Sequence, residues 1–262
     1  MRETASTGSP YQLTEKSNIM KLNVLDTPEQ VISAAADFFV EIAEEAIATR
    51  SRFSVSLSGG SSPKKLYELL ASDQYQNKVD WSKVYFFWGD ERYVPQDHPD
   101  SNYLMVKKAL FEPLSISDAQ IFPVNTSLSP EASAKAYAED IATFFDGKGI
   151  EFDLQLLGLG DNSHTASLFP HTPILHDDSV SVKEVWLDDQ QVYRISMTAR
   201  MINQARYTAF LVYGQGKAEA VHHVIEGERN IEEYPAQLIK PLDGELLWFM
   251  DKAAASKLNG VL

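Results

Sequence analysis

The chain of 262 residues contains no cysteine. Disulfides, thiolate metal sites and a cysteine nucleophile are therefore excluded. No apolar run approaches the ~18 residues of a membrane span, and the opening MRETASTGSPYQLTEKSN has no apolar core of the kind a secretory signal needs. These absences lead us to expect a cytoplasmic protein with no membrane partner. Dense Lys/Arg runs are also missing, and the formal net charge is -14. A duplex binder needs a basic patch to pair phosphates, so no nucleic-acid partner is expected. Among the six histidines no spacing suits a metal: His164 and His171 are separated by a stretch that includes Pro170, and the adjacent His222 and His223 diverge on a helix. Neither the P-loop pattern nor a G-x-S-x-G nucleophile elbow occurs.

What is present is an alternation of strand and helix signals. Residues 1–18, with Gly8 and Pro10, read as a polar extension, and residues 19–262 as one α/β domain. Strands are expected at Lys21–Leu25, Phe53–Leu57, Val84–Trp88, Phe152–Leu157, Tyr193–Met197, Thr208–Tyr213 and Leu246–Met250. Helices are expected from Pro28 to about Arg50, and at Ser62–Leu70, Ser101–Leu110, Glu131–Phe145 and Gln215–Glu226. Strands rich in Val, Leu and Phe, alternating with amphipathic helices, imply a mostly parallel, Rossmann-like central sheet with helices on both faces. Such sheets bind ligands beyond the carboxyl ends of their strands.

Four polar clusters stand at those ends, and they should converge. Ser58-Gly59-Gly60-Ser61 runs into a helix start, where backbone N–H groups and hydroxyls suit a phosphate. Asp90-Glu91-Arg92 follows an aromatic strand, with Arg92 placed to clamp an anion. LLGLGDNSHTASLFP, residues 156–170, carries His164 at or near an expected helix start, where it can move protons near neutral pH. Gly214-Gln215-Gly216-Lys217 repeats the strand–glycine–helix design, and a lysine in a first helical turn fits an anion that offsets its conflict with the helix dipole.

Taken together, SGGSSP, WGDERYVP with HPDSNYLMVKKAL, LGLGDNSHTASLFP, RISMT and YGQGKAEAV are collinear over about residues 22–250, and they resemble the 6-phosphogluconolactonase family. The resemblance implies the fold group of glucosamine-6-phosphate deaminase and ribose-5-phosphate isomerase. It further implies hydrolysis of a phosphorylated sugar lactone, 6-phospho-D-glucono-1,5-lactone, in the oxidative branch of the pentose phosphate pathway, without metal or organic cofactor. His164 would be the general base. Ser58, Gly59, Gly60 and Ser61 would form the sugar-phosphate loop, Arg92, Lys217 and Arg194 the cations around the phosphate, and Asp90 a site acid. Where the family reads Asp-Gly-His, this chain reads Asn162-Ser163-His164. Asn162 can hydrogen-bond but brings no charge to raise the basicity of His164, and Asp161 is the adjacent alternative. Asn162 is the expected contact, since it holds the family's position relative to the histidine, and a modest pKa shift follows from that choice. Two other readings stand beside this one: an amino-sugar-phosphate deaminase or isomerase, which the fold group permits but whose glutamate has no counterpart here, and, from another class and favoured by Asn162 alone, a sugar-phosphate-binding regulator without catalysis.

The reading of residues 1–18 makes one prediction. Their deletion should change Tm by no more than about 2 °C, the scale of a surface substitution. A larger drop on thermal melting would mean that the segment packs on the domain.

Overall fold

Phe53–Leu57 is buried at every position, which requires cover on both faces of the strand. A computed structural model describes residues 20–260; the segment 1–18 lies outside them. In chain order the elements are β1 (Met20–Leu25), α1 (Pro28–Arg50), β2 (Phe53–Leu57), α2 (Ser61–Leu70), β3 (Val84–Trp88) and β4 (Asp90–Arg92). Then come α3 (Asn102–Val106), α4 (Glu112–Leu114), α5 (Pro130–Phe144), β5 (Leu154–Leu157), β6 (Val182–Leu187) and β7 (Val192–Met197). The last are α6 (Ala199–Ile202), β8 (Tyr207–Val212), α7 (Ala218–Ile225) and β9 (Glu245–Asp251).

Six strands form a sheet in the order β1-β9-β8-β5-β2-β3, and every neighbouring pair is parallel. Alternate strand residues feed two cores. Phe86 and Trp88 join Val31, Phe39, Leu66 and Leu110 on one face. Phe87, Phe210, Trp248 and Met250 join Tyr137, Ile141 and Val221 on the other. The expected layered architecture is the one observed.

Three expectations require correction. Tyr193–Met197 does not extend the parallel sheet: β7 is the centre of a second, antiparallel sheet of order β4-β7-β6. β4 and β6 carry charged or exposed positions and gave no apolar run to read. The helix expected over Ser101–Leu110 is broken into α3 and α4 by a wide turn at Lys107–Phe111. The helix expected from Gln215 begins as a tight 3₁₀ turn, Gln215–Lys217, and α7 proper starts at Ala218.

Gly89 links the two sheets. Its N–H donates to Leu57 O in the parallel sheet at 3.0 Å, and its carbonyl accepts from Met197 N–H of β7 at 2.8 Å. The chain thus leaves β3 and enters β4 with both backbone groups satisfied, carrying Asp90-Glu91-Arg92 over the carboxyl edge.

As an edge strand, β3 would leave outward backbone groups unpaired. Gln120 Nε2 donates to Val84 O at 2.7 Å, and Phe122 N–H donates to Phe86 O at 2.9 Å. The buried Tyr137 hydroxyl accepts from Trp88 N–H at 2.7 Å and donates to Trp88 O at 3.2 Å. Tyr67 does the same at the end of β2, accepting from Ser58 N–H at 3.0 Å and donating to Ser58 O at 2.9 Å. Each tyrosine fixes the strand end from which a site loop departs. Tyr137→Phe leaves two buried backbone groups without this partner, a loss of about 1–3 kcal/mol. The expected result is a Tm lowered by roughly 2–4 °C per kcal/mol on thermal melting; an unchanged Tm would contradict this role.

Candidate active site

The four polar clusters converge. A cavity of about 260 Å³ at the carboxyl edge of the parallel sheet is bordered by Ser58, Gly59, Gly60 and Ser61, by Asp90 and Arg92, by His164, and by Arg194 and Lys217. Asn162 and Asp161 belong to the turn that carries His164 but do not border this cavity.

One wall is the start of α2. Gly60 sits at φ 100°, a conformation L side chains rarely adopt, and precedes the helix with no side-chain cap. The first-turn N–H groups and the positive end of the helix dipole therefore face the cavity.

Opposite, strand register sets two arginines against each other: Arg92 of β4 and Arg194 of β7 are direct cross-strand partners. Like charges so placed repel. Among the described residues neither makes an ion pair within 4 Å; Arg194 donates to Gln190 Oε1 at 3.1 Å. Burial, and next the Arg92 charge, lower the Arg194 pKa.

Beneath them Asp90 is buried and accepts from Ser167 Oγ at 2.7 Å. Burial raises its pKa, opposed by the Ser167 hydrogen bond and by Arg92 and Arg194. Glu91 is no cavity acid. It accepts from Asn102 N–H at 2.7 Å and Tyr103 N–H at 2.8 Å, and so caps α3. Burial pushes its pKa up to about 7 against those donors. The cap brings Asn102 to the cavity, where Nδ2 donates to Asp90 O at 2.9 Å.

Lys217 is placed by the end of β9. The buried Asp251 carboxylate accepts from Gly214 N–H at 3.0 Å and from Ala254 N–H at 2.7 Å. The tight turn that follows, closed by Lys217 N–H to Gly214 O at 3.0 Å, directs Lys217 to the cavity. Its Nζ pairs with Asp161 Oδ1 at 2.6 Å.

His164 is not at a helix start; residues 160–172 form turns without a helix. Gly160 N–H donates to His164 O at 2.8 Å, folding the turn shut. The imidazole then lies so close to Gly160 that a Cβ there would stand 2.0 Å from Nδ1; any side chain at 160 displaces the ring. Phe169 stacks on its face, with centroids 4.0 Å apart. Nδ1 contacts Asn162 Oδ1 at 2.5 Å. An amide oxygen only accepts, so Nδ1 carries the proton and Nε2 keeps its lone pair. Of the adjacent residues, Asn162 holds the imidazole and Asp161 is turned to Lys217.

The pKa shift of His164 is not modest. Burial first, then Lys217, Arg92 and Arg194, push it down to about 4, with Asp161 pulling the other way. The imidazole is neutral at pH 7. Asn102, Ser167 and Phe169 escaped the sequence reading. The signal for Asn102 lay in Glu91, an acid at a buried strand end that needs donors. Among the described residues no group of three or more His, Asp or Glu side chains is arranged to hold a metal ion, and no helix is long and apolar enough to cross a membrane.

The depressed pKa has a stability consequence. Between about pH 6.5 and about 4 the unfolded chain binds a proton at this residue that the folded chain refuses. Stability therefore falls as pH drops through that window. His164→Gln removes this contribution, so between pH 7 and pH 5 the wild-type Tm should fall further than that of the variant. Equal losses would place the pKa of His164 near its ordinary value.

A family model described as glucosamine-6-phosphate isomerases/6-phosphogluconolactonase matches residues 26–248. A 6-phosphogluconolactonase from a Synechocystis species is 43% identical over 219 residues, covering 82% of this chain and 88% of that protein. One from a Nostoc species is 39% identical over 246 residues, covering 92% and 100%. The fold is similar to that of 6-phosphogluconolactonase from Trypanosoma cruzi, with a TM-score of 0.82, 28% identity and coverage of 93% and 98%. A monomeric glucosamine-6-phosphate deaminase shares the fold alone, at a TM-score of 0.78 and 22% identity over 91% of this chain and all of that one. With its converging loops and this breadth of similarity, the chain belongs to the glucosamine-6-phosphate isomerase/6-phosphogluconolactonase family.

Proposed function

We propose that this chain hydrolyses 6-phospho-D-glucono-1,5-lactone to 6-phospho-D-gluconate, with His164 as the general base. The relatives at 39–43% identity carry the name of that activity. The observation that carries the mechanism is the contact of His164 Nδ1 with Asn162 Oδ1. With Nδ1–H committed to Asn162 at 2.5 Å, Nε2 is free to accept a proton.

The 6-phosphate occupies the corner formed by Arg92, Arg194, Lys217 and the start of α2. A phosphate dianion there relieves the repulsion between the arginines and gains charge-assisted hydrogen bonds. Anchored at its far end, the sugar ring places C1 toward His164, and the remote phosphate supplies the orientation. Water attacks C1 while Nε2 takes its proton. The tetrahedral adduct collapses with cleavage of the bond between C1 and the ring oxygen, and the imidazolium returns the proton to that oxygen. The carboxylic acid product then ionises. Asp90 serves as a positioning residue: through Ser167 it ties β4 to the loop of His164, and its charge sits beneath the arginines.

The test is a lactonase assay on freshly generated phospholactone, corrected for spontaneous hydrolysis. His164→Ala should lower kcat by roughly 10²–10⁴-fold, the usual worth of a general base. Lys217→Met should raise KM by about tenfold or more, as loss of a charge-assisted contact requires. Near wild-type turnover in folded His164→Ala would remove the histidine from the mechanism. Turnover of glucosamine 6-phosphate with none of the lactone would reassign the reaction.

A further inference from the structure

Lys217 is engaged by a side chain of the protein itself. Its Nζ lies 2.6 Å from Asp161, whose side chain is 78% exposed. An exposed pair of this kind is weak and readily exchanged. Asp161 stands on the turn that bears the catalytic candidate, next to Asn162, and that turn is closed by Gly160 N–H to His164 O at 2.8 Å. The charges that act most strongly on His164 come from four places in the fold. Lys217 comes from the turn before α7, Arg92 from β4, Arg194 from β7 and Asp161 from its own turn. The neutral Phe169 covers one face of the ring. Lys217, Arg92 and Arg194 repel a proton from His164, Asp161 is occupied by Lys217, and the buried Asp90 of β4 borders the same cavity beneath the arginines.

A phosphate dianion entering this corner makes two changes of the same sign. It neutralises the arginines and lysine that disfavour the imidazolium. By competing for Lys217 it also frees the Asp161 carboxylate, which favours the imidazolium. A neutral imidazole held as a weak base becomes a stronger one, and general-base efficiency rises with basicity toward the working pH. By reciprocity, protonation of His164 strengthens phosphate binding by the same factor.

Resting on the lactonase reading of the site, we propose that phosphate in the Arg92–Arg194–Lys217 corner displaces Asp161 from Lys217 and thereby switches on His164, whether that phosphate is part of the substrate or free in solution. The chain then has a second activity: hydrolysis of an unphosphorylated aldonolactone, activated in trans by inorganic phosphate. Water adds to C1, the bond from C1 to the ring oxygen breaks, and His164 carries the proton from water to that oxygen. Phosphate is neither consumed nor transformed.

The experiment uses the whole chain with inorganic phosphate as the probe, at ionic strength matched with sodium chloride. The His164 ring signal is titrated by NMR with and without saturating phosphate. Hydrolysis of D-glucono-1,5-lactone is followed in parallel, with the rate in the presence of His164→Ala protein subtracted to remove buffer catalysis. The His164 midpoint should rise by about one pH unit or more with phosphate. The gluconolactone rate should rise by about tenfold or more. Asp161→Asn should bind phosphate at least about threefold more tightly, because Lys217 is released, while its phosphate-induced rise in midpoint shrinks.

An unmoved midpoint, or a gluconolactone rate indifferent to phosphate, in a protein that does turn over the phospholactone would overturn the switch and leave the lactonase reading standing. Unchanged phosphate affinity in Asp161→Asn would overturn the displacement of Asp161. Absence of phospholactone turnover would fall on the reading of the site itself.

Discussion

Repulsion between Arg92 and Arg194, held opposite one another by strand register, is the constraint on which the site depends. Like charges directly across an antiparallel pair are unfavourable by a few tenths to about 1 kcal/mol; neither guanidinium makes an ion pair within 4 Å among the described residues, and the buried Asp90 beneath them offsets the repulsion only in part. A fold only about 5–15 kcal/mol more stable than its unfolded chain retains such a pair when something else relieves it. The phosphate proposed above would do so, and Lys217, the start of α2 and the neutral His164 surround the same cavity. In a chain of net charge -14 these cations are a local exception.

The surrounding frame holds that exception in place. Gly89 passes the chain from one sheet to the other with both hydrogen bonds made, so that β4 projects its charges over the carboxyl edge. Tyr67 and Tyr137 tie down the last residues of β2 and β3 from opposite cores. Glu91 and Asp251, both buried, spend their carboxylates on backbone N–H groups of the loops that deliver Asn102 and Lys217.

Much of this was legible in the sequence, for identifiable reasons. β2, β3 and β8 are rich in Val, Leu and aromatic residues, and their glycine-bearing exits marked the loops that converge. The second sheet was hidden because β4 is three charged or acidic residues and β6 alternates toward solvent, so neither shows the apolar run of a buried strand. Turn geometry was also out of reach. Sequence adjacency placed Asp161 and Asn162 equally near His164; only the folded turn sends one to Lys217 and the other to the imidazole. The pKa of His164 was misjudged for the same reason: its largest electrostatic neighbours arrive from β4, β7 and the turn before α7, which are distant in sequence. Stacking by Phe169 and the Ser167–Asp90 bond likewise needed the path of the loop.

The most direct measurement is a crystal structure of the chain with 6-phosphogluconate bound. The phosphate should lie between Arg92, Arg194 and Lys217 at the start of α2, with the C1 carboxylate within hydrogen-bonding reach of His164 Nε2. A phosphate bound away from the paired arginines, or a carboxylate in that corner with C1 remote from His164, would contradict this placement.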